Sequence, residues 1–158
     1  MPSLSVFDLL AVHDFVADLP GDWITRLAAT GHPVYYGTGH RLFREDGAAD
    51  RFWLLHNGKV AIDFYVPGRG DIVIDRVGPR TLIGWSWLTV PYRWQFGAVV
   101  AEDIRAVEFD AAAVRNLIDE DPELGRELTT RILRVTADRL QKARHRLVEL
   151  YAYPGVTD

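Results

Sequence analysis

The chain contains no cysteine, which excludes a disulfide framework and every form of thiolate chemistry, nucleophilic or metal-binding. Nor is there a run approaching the roughly 18 apolar residues of a membrane-spanning helix. The stretch from Met1 to Leu19 has no basic leader and is interrupted by Asp8 and Asp14, so no signal peptide is expected. A cytoplasmic location without membrane contact fits these absences. Basic residues are not in excess either: 18 Lys and Arg against 22 Asp and Glu leave a net charge of −4, which weighs against nucleic acid as the main partner. Internal repeats and low-complexity linkers are missing. So is the His-x-His pair of small metal-binding β-barrels, although His40 and Glu45 sit near such a spacing. His13, His32, His56 and His145 are scattered singles. Ser86 completes no Gly-x-Ser-x-Gly elbow, because Leu88 replaces the second glycine. Asp71 and Asp75 share a strand face and read as solvated. The expectation is a protein that is not an enzyme and needs no cofactor or metal.

What is present suits one domain over residues 1–158, with 48% hydrophobic residues and five tryptophans, three of them between Trp85 and Trp94. Residues 1–32 are helical in pattern. Phe7, Leu10, Val12, Phe15 and Leu19 precede a Pro20-Gly21 break, and Asp22 reads as the N-cap of a second short helix ended by Gly31. Residues 33–110 read as short strands with glycine-rich turns. The Asn57-Gly58 dipeptide between two apolar runs predicts a hairpin, and separate strands are expected over Gln95–Ala101 and Ile104–Phe109. Short strands at this spacing indicate an antiparallel sandwich or barrel. Residues 111–152 return to helix. Asp110 can cap the first segment, and Asp121, followed by Pro122 and Glu123, can cap a second that runs to about Tyr151 and stops at Pro154-Gly155.

That last helix carries two stripes. Leu133, Leu140 and Leu147, with Thr136, Ala143 and Leu150, make a heptad seam, while Leu124, Leu128, Ile132 and Val135 form a second stripe nearer its start. The second can pack on the barrel while the seam meets a partner helix in a homodimer. The plainer alternative is one broad core face within a monomer. The basic set Arg131, Arg134, Arg139, Lys142, Arg144 and Arg146 reads as a solvated flank.

Two short helices, a glycine-punctuated barrel, a capping helix and a long final helix together resemble the cyclic-nucleotide-binding domain, in the layout of the sensor halves of catabolite-activator-type and Fnr-type regulators. Gly39, Gly47, Gly58 and Gly78, the segment Gly78 to Gly84 and the helix start Asp121-Pro122-Glu123-Leu124 carry the resemblance from about Leu19 to Leu150. It implies a mainly β fold with flanking helices, an antiparallel double-stranded β-helix or jelly roll with a long dimerisation helix. It also implies a phosphate-binding cassette of the form Gly-Glu-x-[Ala/Gly]-Leu, followed about ten residues later by Arg-x-[Ala/Gly]. Occupation of the cassette would shift a hinge near Asp121 and reposition the long helix.

Here the cassette reads Gly84-Trp85-Ser86-Trp87-Leu88, then Arg93-Trp94-Gln95-Phe96-Gly97. Trp85 stands where the resemblance places Glu, and Gln95 where it places Arg. A neutral amide cannot replace a guanidinium against a phosphate, and indole has a donor but no acceptor for a ribose hydroxyl. Binding of cyclic AMP or cyclic GMP in the usual way is therefore not expected. Three readings stay open. The site can hold another small molecule, with Arg93 or Ser86 reaching an anion and Trp85, Trp87, Trp94 and Phe96 lining a pocket for a flat ligand. The aromatics can instead fill the pocket, leaving a ligand-free dimeric scaffold. Third, the Pro91–Trp94 segment can be a partner surface. Only Ala152 to Asp158 follow Tyr151, too few for a helix-turn-helix module, so direct DNA binding is not expected.

Overall fold

The computed structural model describes residues 4–152. The chain begins with α1 (Val6–Ala11) and α2 (Gly21–Ala28), continues through β1 (Gly31–Tyr36), β2 (Arg41–Phe43), β3 (Arg51–Val66), β4 (Gly70–Val77) and β5 (Thr81–Ile83), makes a 3-10 turn at Ser86–Leu88, and enters β6 (Gly97–Asp110). Two helices close it, α3 (Ala111–Glu120) and α4 (Pro122–Ala152). All strand pairs are antiparallel; the order is β1-β6-β3-β4, with β2 added to β6 and β5 to β3. The fold is thus the mainly β barrel with flanking helices that the sequence indicates. No helix among the described residues is long and apolar enough to cross a membrane.

Three local expectations need correction. Asn57-Gly58 is not a hairpin. β3 runs straight through it, and the register against β6 slips around Asn57 and Lys59. Gly58 has φ +88°, and a Cβ there would collide with the Asp103 carbonyl of β6. The dipeptide forms a bulge that bends a long strand across two faces of the barrel, where only glycine allows the close crossing. For the same reason the two short strands expected near the end of the barrel are one bent strand, β6. In addition, α2 starts at Gly21 with Pro20 at its cap, so Asp22 lies in the first turn, and Gly31 opens β1. The expected stop at Pro154-Gly155 lies outside the described residues.

The core is continuous from the helices to the barrel, with Leu10, Leu27, Trp53, Leu55, Ile104, Val114 and Leu124 among its buried members. Two histidines dock the N-terminal segment. The Nδ1 of buried His13 accepts from the Phe15 N–H at 3.1 Å, which leaves the proton on Nε2 to reach the Leu55 carbonyl at 3.0 Å. Reciprocally, His56 Nε2 lies 2.9 Å from the Leu9 carbonyl. Burial, reinforced by His56, lowers the His13 pKa to about 4. Both helix caps foreseen in the sequence are present. Asp110 accepts from the Ala113 N–H at 3.2 Å, and Asp121 from the Leu124 N–H at 3.1 Å. Asp121 also holds Arg26 of α2 at 2.7 Å, so the joint that starts α4 is tied to the helical layer.

α4 divides its two stripes. Leu124, Leu128 and Ile132 are buried and Val135 is half-buried. On the seam, Leu133, Leu140, Leu147 and Leu150 are 65, 52, 53 and 73% exposed, Ala143 is exposed and Thr136 is half-buried.

Candidate functional site

The cassette begins where β5 ends. β5 pairs with β3 through Ile83–Trp53 and Leu82–Leu54, and both Leu82 and Ile83 are fully buried, so the strand's exit is fixed by the core. Gly84 then adopts φ +94° and turns the chain into the Ser86–Leu88 turn. Its missing side chain has a second use. A Cβ at Gly84 would lie 2.7 Å from the tip of the Trp94 indole, so this ring rests directly on the glycine.

Trp94 is buried and stacked on Phe43, with ring centroids 3.8 Å apart and planes 15° from parallel. Its backbone is held as firmly. The Trp94 N–H donates to Gly47 O at 3.0 Å, and Trp94 O accepts from the Asp46 N–H at 2.9 Å. Trp85 and Phe96 are half-buried and meet edge to face at 6.2 Å. Together with Phe43, Ile62, Gly84, Ser86, Trp94 and Gln95 they enclose a cavity of about 20 Å3. That is room for about one water molecule, against the several hundred cubic ångströms of an ordinary ligand pocket.

The remaining cassette residues go elsewhere. Trp87 is fully buried in the main core, stacked on Phe52 at 4.3 Å, and its Nε1–H donates to Gly84 O at 3.1 Å. Leu88 packs at the edge of that core. Arg93 lies outside the cavity, its guanidinium donating to Asp46 O at 2.9 Å. Gln95 is exposed and Ser86 buried. The structure therefore brings together Gly84, Trp85, Ser86, Trp94, Gln95 and Phe96, and leaves Trp87, Leu88 and Arg93 apart.

Sequence reasoning missed three participants: Phe43 and Ile62, which line the cavity from β2 and β3, and Arg139. The sequence puts Arg139 in the solvated basic flank of α4, yet it is half-buried. Its guanidinium donates to Leu82 O and lies 5.4 Å from the centre of the Trp85 ring. Desolvation lowers its pKa from the ordinary arginine value. Arg131 is not free either, being bound to Asp18 at 2.6 Å, Glu127 at 2.9 Å and the Phe15 carbonyl at 2.7 Å. Helical periodicity gives the face on which a side chain starts but not how far a long arginine reaches around it. Behind the cassette, Arg41 and Asp63 form a two-pronged pair at 2.8 and 2.9 Å that closes over Gly97. No group of three or more His, Asp or Glu side chains able to hold a metal ion occurs among the described residues.

These features find counterparts in known proteins. The family model of the cyclic nucleotide-binding domain matches residues 33–121. Over 127 residues the chain is 30% identical to the CRP-like cAMP-activated global transcriptional regulator of Mycobacterium tuberculosis; the match covers 80% of this chain and 55% of that protein. The chain thus spans about half the length of the curated relatives it matches. Among solved structures, a candidate cyclic nucleotide-binding protein from Geobacter metallireducens GS-15 superposes with TM-score 0.76 at 26% identity, over 87% of this chain and 99% of that one. A cyclic nucleotide-binding domain from Methylobacillus flagellatus KT gives TM-score 0.76 at 17% identity, over 92% and 82%. The sensor domain of the transcriptional regulator DNR from Pseudomonas aeruginosa gives 0.67 at 18%, over 84% and 89%. The last two share the fold alone. With a family model matched over more than half of its length, and a barrel, cassette and long final helix in the family's order, this chain belongs to the cyclic nucleotide-binding domain family.

Proposed function

We propose that this protein is a cytoplasmic, non-catalytic regulatory module, dimeric through α4, whose cassette is filled by its own side chains instead of a cyclic nucleotide. The observation that carries this reading is the Trp94 indole seated on Gly84, which leaves about 20 Å3 where a nucleotide would need many times that volume. The two polar departures agree with it. Gln95 is uncharged and points to solvent, and Trp85 lies under Arg139 instead of offering an acceptor. Such a module would work as a dimeric protein-interaction scaffold. A net charge of −4 favours protein over nucleic acid as the thing it docks.

The test is thermal unfolding of the full chain against cyclic AMP and cyclic GMP. A ligand at about a hundred times its dissociation constant adds roughly 2.7 kcal/mol to the native state. No shift is expected with either nucleotide; a clear shift would sink the filled-cassette reading.

Dimerisation rests on the exposed leucines of α4, which extend beyond the part of the helix anchored in the core. Sedimentation should give a dimer for the native chain and a folded monomer for Leu140→Glu/Leu147→Glu. A native monomer would refute it. A second reading, a sensor for a flat apolar molecule, is favoured by the half-burial of Trp85 and Phe96 at the cavity mouth. It requires Trp94 to swing off Gly84, and a crystal soaked with a binding aromatic ligand would show that displacement.

A further inference from the structure

α4 stays on the barrel by two different means. Up to Ile132 it is held by packing, with Leu124, Gly125, Leu128 and Ile132 buried. Beyond Ile132 only Val135, Thr136 and Arg139 are half-buried, and from Leu140 to Ala152 every side chain is exposed. Apolar burial, the main force that holds a helix to a barrel, is therefore absent from the far end of this one.

What reaches the barrel from this far part is arginine. The Arg139 guanidinium donates to Leu82 O of β5 and lies 5.4 Å from the centre of the Trp85 ring. Arg146 Nη1 donates to Ile74 O of β4 at 3.0 Å, and its Nη2 stands 3.5 Å from the Asp75 carboxylate. Both strands have an open side. β4 ends the strand order, and β5 pairs with β3 alone. Ile74 also falls where the register between β3 and β4 shifts, with no residue opposite it on β3, so its carbonyl is left for the helix to take. Seven residues apart, the two arginines share one face of α4. Each immediately precedes a seam leucine, Leu140 or Leu147, so that face lies about 100° from the seam. The barrel under the arginines and a helix on the seam occupy different sides.

We infer that α4 beyond Ile132 is a releasable strap, docked along the edges of β4 and β5 by Arg139 and Arg146 and freed when those two guanidiniums are screened or lost. Exposed charge contacts are weak and fade with salt. Arg146 keeps 50% of its side chain in solvent, so it is the weaker hold and lets go first. Docked, the strap takes Ile74 O and points the leucine seam in one direction. Freed, it leaves that carbonyl to water, draws Arg139 off the Trp85 ring and lets the seam turn. The strap depends neither on what fills the cassette nor on whether a second chain meets the seam.

The chain has no cysteine, so nitroxide labels can be placed one by one. Lys59→Cys in β3 and His145→Cys in α4, both exposed positions, carry one label each. Labelled chains are diluted in excess unlabelled chain, so that pulsed dipolar spectroscopy reads only distances within one chain. At about 0.01 M salt, where charges act over about 30 Å, one narrow distance is expected. At about 1 M salt, where that range falls to about 3 Å, the distribution should become about twofold broader or more. Arg139→Gln/Arg146→Gln should broaden it at low salt. Arg146→Gln alone removes no packed surface and should broaden it in part with the melting temperature unchanged, which separates release from misfolding. Arg134→Gln, on α4 but off the arginine face, should leave it narrow. The inference is overturned if the distribution stays narrow at high salt or in the double variant, or if it is already broad in the native chain at low salt. It is equally overturned if Arg134→Gln broadens it as much as Arg146→Gln.

Discussion

The barrel carries two hollows of opposite character within reach of one arginine. The cassette is walled by aromatic rings, holds about 20 Å3 and has no charged side chain lining it. The second, an open cleft between segment 14–18, the β4–β5 turn and the α4 residues 131–142, holds about 800 Å3 and is lined largely by charged groups. The two lie near the same short strand β5 but are framed by different elements, and their side chains differ in kind. Indole and phenyl rings stack and exclude water, while like-charged guanidiniums repel one another and keep a space solvated.

Removing the Trp94 ring should have the largest effect. Trp94→Ala empties a buried, stacked position and should cost about 3–5 kcal/mol in urea unfolding. A loss near zero would mean that the cassette is not closed by packing. Gly84→Ala attacks the same contact from the other side. It combines a left-handed backbone with a 2.7 Å clash against Trp94, and a loss of about 1–3 kcal/mol is expected.

Acid should act on the cleft and not on the cassette. Segment 14–18, one wall of the cleft, is held by neutral His13. The folded-state pKa of His13, about 4, lies below the value of roughly 6.5 for an unfolded chain. Between those values the unfolded state binds a proton that the native state does not, so this contribution is complete above pH 6.5 and is lost as pH falls through 4. It amounts to no more than about 3.4 kcal/mol. Hydrogen exchange at pH 5 should speed up at residues 13–18 before it does at 84–97, and simultaneous loss would erase the distinction. The smallest effect belongs to the open side. Arg134→Ala should change stability by no more than about 0.5 kcal/mol, because it removes no packed surface.

Much of the scaffold was legible in the sequence. Cap chemistry at Asp110 and Asp121 and the apolar period located α3 and α4, and glycine spacing aligned the cassette from Gly84 to Gln95. What escaped depended on distant contacts. Asn57-Gly58 carries the same local signal for a hairpin as for a bulge, and only the carbonyl of Asp103, across the barrel on β6, distinguishes them. Trp85 and Trp87 would share a face if the segment were extended. The Ser86–Leu88 turn instead winds at about 120° per residue and carries Trp87 into the core. Trp94 reads in the sequence as a pocket wall, and in the structure it is buried, stacked on Phe43 and seated against Gly84. Composition is the same for both roles, and only the gap above Gly84 decides between them. The reach of Arg139 across to β5 leaves no mark on helical periodicity at all.

The last buried residue of α4 is Ile132, and the helix continues to Ala152, roughly 30 Å further at 1.5 Å per residue. Mechanically this arm has no buried residue of its own and meets the barrel through arginines, Arg139 at Leu82 O and Arg146 at Ile74 O and Asp75. A tilt of about 5° about a pivot at Ile132 carries the far end through roughly 2.6 Å, about half the pitch of a helical turn. In a dimer two such arms would meet, so a rotation too small to disturb any core contact near Ile132 would change how their ends fit together. Arg139 sits a short way beyond the pivot, where a slight push is multiplied most.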